Sequence, residues 1–130
     1  MTLRVLKERV IMLKNIGWFI FVLLFSSFAS AGGWTTKAKP TRIDTVRAEG
    51  IMVYGKFGNP AGCTEARANQ VFIKSNHPSF QNLYSTVLAA FASGKSIRIY
   101  AHTCEPVGWY TTSDTTYNTM TSSGSLNIFE

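Results

Sequence analysis

The chain has 130 residues, enough for one domain around one core. Thirteen Lys and Arg against seven Asp and Glu give a net charge of +6, but the basic residues are scattered, which argues against the clustered cationic face of a nucleic-acid binder. With two cysteines, two histidines and no nucleophile elbow, phosphate loop or paired metal-ligand spacing, the usual hydrolase, nucleotide-binding and zinc signatures are missing.

Residues 1–31 read as a cleaved export signal. Arg4, Lys7, Arg9 and Lys14 make a basic start, residues 16–28 are a 13-residue apolar run, and Ala29-Ser30-Ala31 supplies the small-x-small cleavage site. A membrane helix would need about 20 apolar residues, and Gly32-Gly33-Trp34 follows in place of a stop-transfer charge cluster. Met12 is an alternative start that leaves Lys14 as the leader's charge. The expected mature chain, residues 32–130, carries nine basic and six acidic residues, a net of +3. It is expected to be secreted or periplasmic, with no membrane association after cleavage. In an oxidising compartment its two cysteines, Cys63 and Cys104, are expected to pair. Closing a loop of that size stabilises by about 4 kcal/mol in the chain-entropy model.

Residues 41–48 are expected to form a bent, bulged strand, because the apolar phase shifts between Ile43 and Val46. Residues 50–57 predict a strand interrupted at Gly55, and residues 58–68 are irregular. Residues 70–75 predict the next strand. Phe80, Leu83, Tyr84, Val87, Leu88 and Phe91 then form one apolar stripe at helical spacing. With Pro78 suited to the first turn and Gly94 just past the end, the helix is expected over 78–93. "SIRIYAH", residues 96–102, alternates Ile97, Ile99 and Ala101 inward with Arg98, Tyr100 and His102 outward. After a long loop over 104–124, residues 125–130 predict a last strand with Leu126 and Ile128 inward.

Three strands, a helix and two strands in about 100 residues suit an OB-fold, a five-stranded Greek-key barrel with its helix as a plug between strands three and four. A small antiparallel α+β sheet with one helix is the alternative.

Trp34-Thr35, the "SFQNLYSTVLAAFASGKSIRIY" run at 79–100 and "EPVGWYT" at 105–111 add a further signal. Through these segments the chain resembles the receptor-binding (B) subunits of subtilase-cytotoxin-type five-fold toxins. It is also similar to a wider group of small exported bacterial proteins with no established activity. The resemblance implies an OB-fold, a homo-oligomeric ring with the helices lining a central pore, and recognition of host glycans without catalysis. The cysteine arrangement departs from that of the toxin subunits. Tyr110 corresponds to the tyrosine after their tryptophan-containing loop motif.

Long ordered loops in small domains are commonly functional, and OB-folds bind partly through the loop after strand four. The candidate binding residues are therefore Trp109, Tyr110, Thr111, Ser113, Asp114 and Tyr117, with Thr112 between them. Aromatic faces beside hydroxyls and a carboxylate suit a sugar. The competing reading has Trp109 and Tyr117 tucked inward to anchor the loop. His77, before Pro78, fits a capping or solvent role, and the row Arg98, Tyr100, His102 is a polar outer strand face or an anion or sugar site. No catalytic residue, metal or cofactor is expected. The expected function is a non-enzymatic module binding a glycan or a protein surface, with no nucleic-acid partner. The alternatives are an interaction protein of the cell envelope without a small ligand, and a small secreted nuclease-like hydrolase.

Overall fold

The computed structural model describes residues 32–64, 69–108, 110 and 115–130, so the expected export signal lies outside the described residues. Strands β2 (Arg42–Val46), β3 (Gly50–Tyr54) and β4 (Gln70–Lys74) form an antiparallel meander. Against β4 lies β7 (Tyr117–Met120), in parallel, and β6 (Thr103–Glu105) completes this five-stranded sheet antiparallel to β7. A second, three-stranded sheet has β1 (Gly33–Trp34) and β8 (Leu126–Phe129) on either side of β5 (Ser96–Ala101), all antiparallel. Helix α1 (Phe80–Ser93) lies between β4 and β5 in the chain. The fold is mainly β with one helix among the described residues, in two sheets, neither of which closes on itself. His102 alone separates β5 from β6, so one run of chain passes from the small sheet into the large one.

The middle of the large sheet is buried on both faces, which is why β3 and β4 carry unbroken apolar runs, "IMV" and "VFI". On one face Ile51, Val53, Val71, Ile73 and Met120 pack with Leu83, Val87 and Ala90 of α1 and with Ile97 and Ile99 of β5. On the other, Val46, Met52, Phe72 and Tyr117 pack under Val107, with Tyr54 and Tyr110 at the margin. This double burial corrects the expected bulge in β2. Ile43 serves the first cluster and Val46 the second, so the phase shift needs no extra residue. The register runs unbroken from Arg42 opposite Tyr54 to Val46 opposite Gly50. At Gly50, φ is 150° and an added Cβ would lie 2.0 Å from the Ile73 carbonyl oxygen, a close approach that only glycine permits. As expected, β3 stops before Gly55.

The helix begins at Phe80, two residues after the expected start, with Pro78 in the preceding turn. His77 Nδ1 accepts the Ser79 amide hydrogen (3.0 Å), so its Nε2–H donates to the Gly124 carbonyl (2.9 Å). Gly94 ends the helix in the left-handed conformation, its amide bonded to the Ala90 carbonyl. The buried seam is Leu83, Val87 and Ala90, with Phe80 and Tyr84 half-buried beside it. Leu88 and Phe91, each one residue and so about 100° round from a seam residue, are exposed, Phe91 by 47%. The expected stripe is therefore only partly covered. At β8, Leu126 opposes Ile99 and packs on the core, whereas Ile128 sits exposed at the sheet edge, contrary to expectation.

Cys63 and Cys104 form the expected disulfide, with Cα atoms 5.3 Å apart. It ties the irregular segment after β3 to β6. Among the described residues, no helix is long and apolar enough to cross a membrane.

Candidate functional site

Strand β2 is an edge of the large sheet. Residues two apart on a strand share a face, so Arg42 and Asp44 meet: Arg42 Nε–H and Nη2–H donate to Asp44 Oδ1 and Oδ2, each at 2.8 Å. Tyr54 stands opposite Arg42 in the register. Its hydroxyl donates to Asp44 Oδ2 at 3.1 Å, and the Arg42 guanidinium lies over its ring, 4.7 Å from the centroid. A third donor arrives from the loop after β6, where the Tyr110 hydroxyl also bonds to Asp44 Oδ2. Tyr110 is braced from below, since the Tyr117 hydroxyl donates to its carbonyl (3.0 Å) and the two rings meet edge to face.

Arg42, Asp44 and Tyr110 line an open depression of about 660 Å³ with Ile43, Thr45, Val46 and Arg47. Arg47 has a φ of 43°, the left-handed turn that leads the chain from β2 to β3. For Asp44, burial pushes the carboxyl pKa upward, but the hydrogen bonds from Arg42, Tyr110 and Tyr54 outweigh it and hold the pKa below its ordinary value. The Tyr110 phenol is pushed well up, first by burial and then by its bond to Asp44. Burial is also the largest cause raising the phenol of Tyr54. The two tyrosines are thus held as neutral donors around one ionised acceptor. Asp44 receives four hydrogen bonds on two oxygens, so its role is to position its neighbours. The Arg42 side chain, 63% exposed against 18% for Asp44, presents its remaining N–H groups outward.

Of the candidates read from sequence, Tyr110 reaches this depression. Tyr117 is fully buried in the second cluster, as the anchoring reading had it, with its hydroxyl donating to the Tyr110 carbonyl. Trp109, Thr111, Ser113 and Asp114, with Thr112, lie outside the described residues. Sequence reading missed Arg42, Asp44 and Tyr54. The available signal was opposite charge at i and i+2 on a strand, weak by itself and masked by the assumption of a bulge. His77 has the capping-type role expected of it. His102 touches Tyr100 and meets the turn before β8, with Nδ1 3.4 Å from the Thr121 amide and Nε2 3.4 Å from the Ser123 hydroxyl.

A second shallow depression of about 330 Å³ lies between Glu49, Phe72, Lys74, Ser75 and Glu105. There Lys74 Nζ and Glu105 Oε1 pair at 2.8 Å, with Glu49 on the same rim. Among the described residues, no group of three His, Cys, Asp or Glu could hold a metal ion. Comparison with protein-family models, with curated proteins and with solved structures finds no match to this chain.

Proposed function

We propose that the chain is an exported, non-enzymatic binding module that takes a glycan in the depression between β2 and the loop after β6. The observation that carries this reading is the convergence of Tyr110 on the Arg42–Asp44–Tyr54 cluster from 66 residues away, at the wall of an open depression. A pyranose offers an apolar C–H face and a ring of hydroxyls. Tyrosine faces suit the first, and guanidinium N–H and Thr45 hydroxyl groups suit the second. Tyr110, one of the residues expected to bind, lines that depression. Secretion or residence in the periplasm rests on the leader pattern and fits the disulfide.

The OB-type reading of the fold rests on two corners. One-residue separation makes β5 and β6 a single bent strand, and Thr35 and Ala38 carry the chain from β1 towards β2 while bonding Ile99 and Ile97 of β5 at 2.9 Å. With those corners joined, the parallel β4–β7 pair and the helix after β4 take the places an OB-fold gives them. Nuclear Overhauser contacts between Thr35 and Ile99 test the closing pair, and their absence removes the barrel. A homo-oligomer is favoured by the exposed Leu88, Phe91 and Ile128; light scattering that returns a strict monomer disposes of it.

Binding itself is tested on a glycan array with the purified chain. Retained glycans whose affinity falls at least tenfold in Arg42→Ala and Tyr110→Phe support the site. Nothing bound above background sinks the reading.

A further inference from the structure

The face of the three-stranded sheet turned away from α1 carries an unusual set of residues. Trp34 of β1 stands opposite Tyr100 of β5, Arg98 stands opposite Asn127 of β8, and Ser96 opposes Phe129. All alternate with Ile97, Ile99 and Ala101, which point into the core. The Arg98 guanidinium lies over the Trp34 indole, 4.4 Å from its centroid, and 5.6 Å from that of Phe129. Lys37 Nζ sits 3.9 Å above the same Phe129 ring. Tyr100 meets Trp34 edge-on at 5.3 Å and tilts against His102 at 4.7 Å.

Two cations are therefore anchored on aromatic rings without a counter-ion. Among the described residues neither Lys37 nor Arg98 forms an ion pair, and Arg98 Nε is a buried donor with no hydrogen-bond partner. The acid nearest in sequence to this face, Glu130, pairs with Lys95 at 3.7 Å. An arginine fixed between two rings has already lost most of its rotamer freedom, so binding an anion costs it little more. On this face Trp34, 39% exposed, is the most open ring, with Arg98 over one side of it.

We propose that this face is a second binding surface, separate from the Asp44 depression, for a linear anionic polysaccharide. The indole takes the C–H face of one sugar, while Arg98 and Lys37 take carboxylate or sulfate groups along the chain. Charge complementarity selects an anion. A lipid surface is disfavoured because Phe129 lies half-buried beneath Lys37 and leaves a single exposed ring to insert. A nucleic acid is disfavoured because two cations make no basic stripe, and both Tyr100 and Phe129 are already engaged by protein groups.

The test is titration of the purified chain with a sulfated heparin-type oligosaccharide, its desulfated counterpart, polyphosphate of matched charge, and vesicles of anionic phospholipid. The sulfated oligosaccharide is expected to bind, salt-dependently, at least tenfold more tightly than the other three. Arg98→Gln and Trp34→Ala are each expected to weaken it at least tenfold. Lys37→Gln, a change at an exposed side chain that the fold does not need, is expected to weaken it severalfold. Asp44→Asn, in the other depression, is expected to leave it unchanged, so failure of one site does not imply failure of the other. The proposal is overturned by absent binding, by equal binding of polyphosphate or vesicles, or by affinity unchanged in Lys37→Gln and Arg98→Gln together.

Discussion

Tyr110 donates its phenolic hydrogen to Asp44 across 66 residues of sequence, and this bond fastens the loop after β6 to the far edge strand of the five-stranded sheet. Val107, three residues before Tyr110, packs with Val46, Met52, Phe72 and Tyr117 on the same face of the sheet. The polar bond sits at the rim of that apolar cluster, where partial burial strengthens it and solvent still reaches the depression.

The first prediction concerns acid. The folded-state pKa of Asp44 is lowered, so its stabilisation is fully present above the unfolded carboxyl's ordinary 3.8 and fades as pH falls through the folded value. Asp44→Asn keeps the shape but weakens every bond to the cluster. Denaturant unfolding is expected to show a stability loss in Asp44→Asn that is clear at neutral pH and shrinks below about pH 4. A loss of equal size at both pH values would mean that the ionised carboxylate contributes nothing specific.

At the alkaline end the sign reverses. Tyr110 and Tyr54 have raised phenol pKa values, so the folded state favours their protonated forms and loses that contribution only as pH climbs past the ordinary phenol value of 10.0. In a spectrophotometric phenolate titration, Tyr110 is expected to ionise last or on unfolding. Tyr110→Phe is expected to remove that late step and leave the earlier ones in place. A titration in which the variant loses an early step instead contradicts the assigned bond.

How far the sequence disclosed this arrangement follows from what periodicity encodes. The helix, its glycine end and the Ile97, Ile99, Ala101 alternation were legible, because each reports burial on one face. Strand β7 was not. Its "YNTM" reads as loop, yet all four residues are buried, because Asn118 and Thr119 satisfy their polar groups inside: the Thr119 hydroxyl donates to the Tyr117 carbonyl at 2.9 Å. Strand β2 misled for another reason: Ile43 packs into one cluster and Val46 into the other, so a two-residue period no longer marks one core. Of the expected loop residues Tyr110 lines the depression, but its counterpart on β2 depends on pairing with Tyr54, and pairing is not written in a single strand.

The disulfide closes a separation of 41 residues, which the chain-entropy model values at about 4 kcal/mol. For a domain of about 100 residues, each kcal/mol moves the melting temperature by about 4–8 °C. Reduction, or the double substitution Cys63→Ser with Cys104→Ser, is expected to lower the midpoint by 10 °C or more. A midpoint that ignores reductant shows that the segment after β3 is held by other means.

Those other means centre on Asn118. Its Oδ1 accepts the Ala61 amide hydrogen at 2.9 Å and its Nδ2 donates to Asn59 Oδ1 at 3.0 Å. Asn59 in turn brackets Cys63, accepting its amide hydrogen at 2.7 Å and donating to its carbonyl at 2.8 Å. Asn118 is fully buried, so Asn118→Ala takes an acceptor from a buried amide and a donor from Asn59 at once. The expected loss is about 1–3 kcal/mol by denaturant unfolding. Because Asn59 and the disulfide position the same cysteine, the loss is expected to be non-additive with the double cysteine variant. Once the bridge is gone, the Asn59 turn has less to hold in place, and Asn118→Ala is expected to cost less. Strict additivity would show that the buried amide network and the disulfide stabilise the segment independently.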